Sequence, residues 1–232
     1  MERHTYDQLP YRLLCPRVAE PGTRYSLVVF LHGAGERGTD NETQLVHGVP
    51  QFLAAENRTK YDYFLIAPQC PPGQRWVEAD WGADSHVQPK EPSEPARLTL
   101  ELIGQAMREL PIDFQRVYLT GLSMGGFGVW DLLARRPDLF AAAAIVCGGA
   151  DEATAESIRH IPQWVFHGAK DDAVKPERSR RMVAALRKAG GSPRYTEYPN
   201  VGHHSWENAY SDPELFDWLF AQRRNSGHFG TA

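Results

Sequence analysis

The chain has 232 residues, 42% of them hydrophobic and 23% charged, which is too apolar for a disordered polypeptide and ordinary for a globular one. A formal net charge of −4 argues against the basic face that a nucleic-acid binder presents. The longest apolar runs, 26–31 and 140–147, fall far short of the roughly 20 residues needed to cross a bilayer, so no membrane segment is expected.

In chain order, the first 22 residues are charged and interrupted by Pro10, Pro16 and Pro21, without the apolar core of a signal peptide. A cytoplasmic protein is expected, or a secreted one if a signal peptide once preceded it. Residues 1–25 should add short antiparallel edge strands. Apolar runs at 26–32, 61–68, 116–121, 142–148, 162–168 and 194–199 read as strands. Several are continuous, as in a parallel sheet covered on both faces. Helical periodicity at 96–110, 124–135, 177–189 and 213–223 fills the intervals. Such alternation predicts one α/β domain over 1–232, with 222–232 as a disordered tail.

Two segments are neither strand nor helix. Residues 32–43 are glycine-rich. Residues 69–95 are proline-rich and carry Trp76 and Trp81, which suggests packing or substrate contact rather than a bare surface excursion. Three cysteines without a CxxC pair make neither a disulfide scaffold nor a thiolate metal site. Cys147 reads as a buried small hydrophobe.

Gly121-Leu122-Ser123-Met124-Gly125 lies between the strand at 116–121 and the helix at 124–135. G-x-S-x-G in that place is a nucleophile elbow, a strained turn that lifts the serine hydroxyl above the sheet. A hydroxyl is a poor nucleophile until a base removes its proton, and the base must be oriented by a third group. An acid and then a histidine are therefore expected on later strand–loop junctions. Asp171-Asp172 follows the strand at 162–168, and His203-His204 follows the strand at 194–199. The required order is present, and it leaves open which member of each doublet acts. The segment 32–38, HGAGERG, follows the first central strand, where backbone N–H donors for an oxyanion are expected. It has neither G-K-[ST] nor a G-x-G-x-x-G opening a helix, which argues against a phosphate loop. His32 reads as a buried brace of this loop. The remaining histidines show no ligand spacing, and no metal is expected.

From about residue 24 to 220 the sequence resembles the α/β-hydrolases of the phospholipase/carboxylesterase and dienelactone-hydrolase-like group, to which feruloyl and acetylxylan esterases are similar. LHGAGERG, APQCPPGQRW, GLSMGGFGVWDL, HGAKDD and VGHHSWENAY carry the resemblance. It implies a mostly parallel central sheet flanked by helices. In His167-Gly168-x-x-Asp171-x-x-Val174-x-Pro176 it selects Asp171 as the acid, and in Gly202-His203 it selects His203 as the base. It also makes Ala34 and Met124 the oxyanion donors. A serine at 123 departs from the dienelactone hydrolases proper, which use cysteine. No insert large enough for a helical cap separates Gly148 from Pro162.

The expected activity is hydrolysis of small or aromatic-acyl carboxylic esters through an acyl-enzyme on Ser123, with Trp76, Trp81 and Trp206 as candidate substrate contacts. A feruloyl or acetylxylan carbohydrate esterase is the alternative, then a small serine peptidase or a catalytically silent binding module. No cofactor is expected. The partner would be a small-molecule ester, with the protein a monomer or homodimer and no nucleic acid or membrane bound.

Overall fold

The computed structural model describes residues 1–18 and 20–224. Its centre is an eight-stranded sheet in the order β1-β2-β4-β3-β5-β6-β7-β8. β1 (Glu2–Tyr6) and β2 (Leu9–Leu14) form an antiparallel hairpin at one edge, and β2 runs antiparallel to β4 (Tyr63–Pro68). From β4 onward, through β3 (Tyr25–Leu31), β5 (Ile112–Leu122), β6 (Ala142–Val146), β7 (Gln163–Gly168) and β8 (Arg194–Tyr198), every pairing is parallel.

All seven residues of β3 are buried. Successive side chains of a strand point to opposite faces, so a strand covered on both sides is apolar nearly throughout, and in β3 only Ser26 is polar. Accordingly Leu27, Val29 and Leu31 enter one core and Val28 and Phe30 the other. The first core is covered by α3 (Glu94–Glu109), α4 (Met124–Arg135), α5 (Ala155–Ile158) and α6 (Pro176–Lys188). The second is covered by α1 (Val49–Leu53), α7 (Trp206–Ser211) and α8 (Pro213–Ala221). Beside it, α2 (Ala55–Lys60) lays the Arg58 guanidinium 4.9 Å from the centre of the Tyr63 ring. In α3, the Ser93 hydroxyl caps the Ala96 amide and Pro95 occupies the first turn. Leu98, Leu102, Ile103 and Ala106 then form the buried stripe. Each of the larger side chains contributes about 1.5–3 kcal/mol by burial.

Only a 3-10 turn and the four-residue α5 separate β6 from β7, so among the described residues no cap domain is inserted there. At the other end, Arg223 bonds Asp113 and Gln115, and the Arg224 amide donates to the Gln115 carbonyl. The start of the expected disordered tail, 222–224, is thus tied to β5, and 225–232 lies outside the described residues. Among the described residues no helix is long and apolar enough to cross a membrane.

After β3 the chain turns to β4 on one side, and β5 then inserts on the other. The reversal leaves a crevice beyond the carboxyl ends of β3 and β5, where ligands bind in open parallel sheets. Both the glycine-rich loop and Ser123 emerge there.

Candidate active site

Ser123 follows the last residue of β5 and precedes the first residue of α4, with φ 53° and ψ −119°. A side chain in that region of backbone space is strained, and the neighbours hold it there. The Ser123 amide donates to Val146 O at 2.9 Å, and its carbonyl accepts from the Phe127 amide at 3.1 Å. Close approach to β3 explains Gly125: a Cβ there would lie 2.0 Å from the Leu31 carbonyl oxygen.

Asp171 sits on the loop after β7 and His203 on the loop after β8. Nδ1 of His203 is 2.8 Å from Oδ2 of Asp171, and its Nε2 is 2.9 Å from the Ser123 hydroxyl. The other oxygen of Asp171 accepts from the Ala173 and Val174 amides, both at 2.9 Å. Burial pushes the Asp171 carboxyl up. Hydrogen bonding from His167, His203 and the Val174 amide, with the His203 charge, more than reverses this and holds it below the usual carboxylate range. The acid is thus held as the anion beside the imidazole. Asp172 and His204, the other members of each doublet, are exposed.

Ala34 opens a 3-10 turn and Met124 opens α4, so neither amide has a carbonyl one turn back to bond. Behind the first of these lies a buried brace. His32 donates from Nδ1 to Gly33 O at 2.6 Å and accepts at Nε2 from the Cys70 amide at 2.9 Å, while Trp76 Nε1 donates to His32 O at 2.9 Å. Burial brings the His32 pKa down to about 4, against the partly opposing bond to Gly33. The ring is neutral in a fixed tautomer, which suits a brace.

The three tryptophans have different surroundings. Trp76 is 0% exposed, with its ring 5.2 Å from that of His32. It is a core residue, and its expected role in substrate contact is corrected. Trp81 is half-buried, with the Arg75 guanidinium 4.4 Å over its ring. Trp206 is 7% exposed and meets the ring of His203 edge-on at 5.3 Å, with His204 at 4.8 Å and His47 at 5.3 Å. His47 approaches Glu36 at 3.8 Å, and Glu36 Oε2 and Trp206 Nε1 are both buried without a partner among the described residues. Sequence reasoning passed over Glu36 and His47. A charged residue inside a glycine-rich loop was the available signal.

Cys147 has φ 42° and is fully buried. One atom each of Cys147, Asp171 and His203 lie within 4.8 Å of one another. They make a poor metal site, because the Asp171–His203 hydrogen bond already occupies two of the groups. Burial, then the Asp171 charge, push the thiol up, which disfavours the thiolate a metal would need.

Residues 14–214 match the family described as Phospholipase/Carboxylesterase. The chain belongs to this family. The crystal structure of a thermostable esterase is 41% identical, with a TM-score of 0.86, covering 93% of this chain and 60% of that one. A ferulic acid esterase (18% identity, TM-score 0.65, 91% and 92% covered) shares the fold. So does the acylaminoacyl peptidase of Pyrococcus horikoshii (16%, 0.69, 100% and 42%). Over 104 residues the chain is 29% identical to a bifunctional acetylxylan esterase/xylanase of Neocallimastix patriciarum, covering 43% of this chain and 16% of that protein. The chain therefore spans less than two thirds of the thermostable esterase and about a sixth of the Neocallimastix patriciarum protein.

Proposed function

We propose that this member of the family is a serine carboxylesterase acting on small or aromatic-acyl esters. The observation that carries the reading is the continuous relay from Ser123 Oγ through both nitrogens of His203 to Asp171, at 2.9 and 2.8 Å. In the first step His203 takes the Ser123 proton as the oxygen attacks the ester carbonyl, and the amides of Ala34 and Met124 receive the oxyanion. Collapse of the tetrahedral adduct expels the alcohol, which takes its proton from His203 and leaves an acyl-enzyme on Ser123. Water, deprotonated by the same histidine, then releases the acid and restores the serine. Asp171 stays ionised throughout, fixing the imidazole tautomer and stabilising the imidazolium.

Half-buried Trp81 supplies aromatic surface for the substrate, whereas Trp206, 7% exposed, packs against His203. The likeness to an acetylxylan esterase favours a carbohydrate ester as the second reading. Turnover of p-nitrophenyl acetate, butyrate and octanoate, methyl ferulate and a peptide anilide, with Ser123→Ala as control, tests both. Rapid acetate or butyrate hydrolysis lost in the variant is the expected result, and a comparable ferulate rate would favour the carbohydrate esterase. Activity that survives in Ser123→Ala, or cleavage of the anilide alone, would overturn the proposal.

A further inference from the structure

β7 ends in His167-Gly168, and His167 is 0% exposed. Its Nδ1 is 2.7 Å from the Ser179 hydroxyl on α6, which also lies 3.2 Å from Gly148 O. Nε2 is 2.9 Å from Val174 O and 3.1 Å from Oδ2 of Asp171. A carbonyl can only accept, so Nε2 carries a proton, shared in a three-centre contact whose shorter arm goes to Val174. On the other side of the ring the Ser179 hydroxyl lies between Nδ1 and Gly148 O, to which it donates. Oδ2 of Asp171 is therefore flanked by two imidazoles, His203 toward the serine and His167 toward the interior.

We infer that His167 is a positioning residue of the relay, holding Oδ2 of Asp171 in line with His203 Nδ1 and drawing part of the carboxylate charge away from His203. The inference rests on the reading of Ser123, His203 and Asp171 as the catalytic array. Among the described residues the charged and titratable groups about the pair are few. Glu197 pairs in register with His167 across β8 and is bonded to Arg180 and Tyr195. Cys147 lies within 4.8 Å of Asp171 and stays a thiol. None of these replaces the N–H that His167 shares between Val174 O and Oδ2.

Loss of that N–H leaves Asp171 a stronger hydrogen-bond acceptor and makes both it and His203 easier to protonate. Both effects move the acid limb of kcat/KM the same way, to higher pH. The test is the pH profile of p-nitrophenyl butyrate hydrolysis for the whole protein and for His167→Leu, His167→Gln and Ser179→Ala, with rates normalised to Ser123 titrated by a fluorophosphonate. His167→Leu should lower kcat by about 10- to 100-fold with KM little changed, and raise the acid limb by about 0.5–1 unit. Glutamine, which can present an N–H near the position of Nε2, should recover most of both. Ser179→Ala, remote from Asp171, should shift the limb slightly with little loss of kcat.

A purely structural histidine would reduce the titratable serine and leave the profile of the remainder unmoved, and that result overturns the inference. Failure of glutamine to rescue a folded protein overturns it as well. The downfield proton of His203 Nδ1 offers a readout independent of turnover, since it should move further downfield in His167→Leu. An inert wild-type protein would overturn the esterase reading, whereas an unmoved resonance would overturn only the role of His167.

Discussion

Replacing Ser123 by glycine should make the protein inactive and more stable than replacing it by alanine. At φ 53° and ψ −119°, the Cβ of residue 123 sits in a region that L side chains rarely occupy. Such a residue stores on the order of 1–3 kcal/mol. Alanine keeps the Cβ and the strain, whereas glycine releases it. Both variants lose the 2.9 Å bond to His203, so that contribution cancels between them. Against the release stands the larger unfolded-state freedom of glycine, about 0.4–1 kcal/mol. The difference should centre near 1 kcal/mol in favour of glycine, or about 2–4 °C in Tm for a domain of this size. Helix N-caps also prefer glycine to alanine, so the same pair of substitutions at Ser205 supplies the baseline. That residue is the N-cap of α7, has an ordinary φ of −61° and likewise makes no side-chain capping bond. Differential scanning calorimetry at pH 7 on the four variants reads the effect. A glycine–alanine difference at Ser123 no larger than that at Ser205 would refute the claim that strain is stored at the elbow.

Two further outcomes follow from the brace behind the glycine-rich loop. The His32 pKa is about 4 in the folded protein and 6.5 in a free side chain, so below pH 6.5 the unfolded chain takes a proton that the folded one refuses. Stability should therefore fall as pH drops from 6.5 to 4, by about 3 kcal/mol at most, and urea midpoints for His32→Gln should be flatter across that window. An unchanged slope would contradict the neutral, buried assignment. Trp76→Phe should cost about 1–3 kcal/mol through loss of the bond to His32 O and of packing, with KM for aromatic esters unaffected. A raised KM at intact stability would return Trp76 to the substrate pocket.

Legibility in the sequence followed the range of the interactions involved. The order Ser123, Asp171, His203 could be read because each residue stands beside its own strand, and strand and turn signals are local. β5 begins at Ile112, earlier than the apolar run suggests, because Asp113, Gln115 and Arg116 carry its partly exposed start. α1, α2, α5 and α7 are four to six residues long, too short for a 3.6-residue period to register. Trp76 misled for a different reason. Its proline-rich loop suggests packing or substrate contact without deciding between them, and what accommodates the ring is Gly128 on α4, where a Cβ would come within 2.5 Å of the Trp76 Cβ. His167 was visible only as part of a motif, because its partners Ser179 and Asp171 converge only once α6 packs on β7.

The relay is built as two halves that are each fixed by backbone, joined by one side-chain bond. Acid and base loops are stitched together: the Ala169 amide donates to Tyr198 O and the Lys170 amide to Val201 O, both at 2.9 Å. The distance from Asp171 to His203 is therefore set by the continuation of the β7–β8 pairing. The serine half is set separately, by the approach of α4 to β3 and by the Ser123 amide on Val146 at the end of β6. Between the halves runs only β6, and just past its end the strained Cys147 donates its amide to Phe166 O at 2.8 Å. A change in the twist or spacing of β5, β6 and β7 would leave each half intact and be felt at the 2.9 Å contact between Ser123 and His203. Substitutions under β6 that alter kcat without touching substrate are the expected consequence, since a misplacement of about 1 Å at a reacting pair costs on the order of 100-fold in rate.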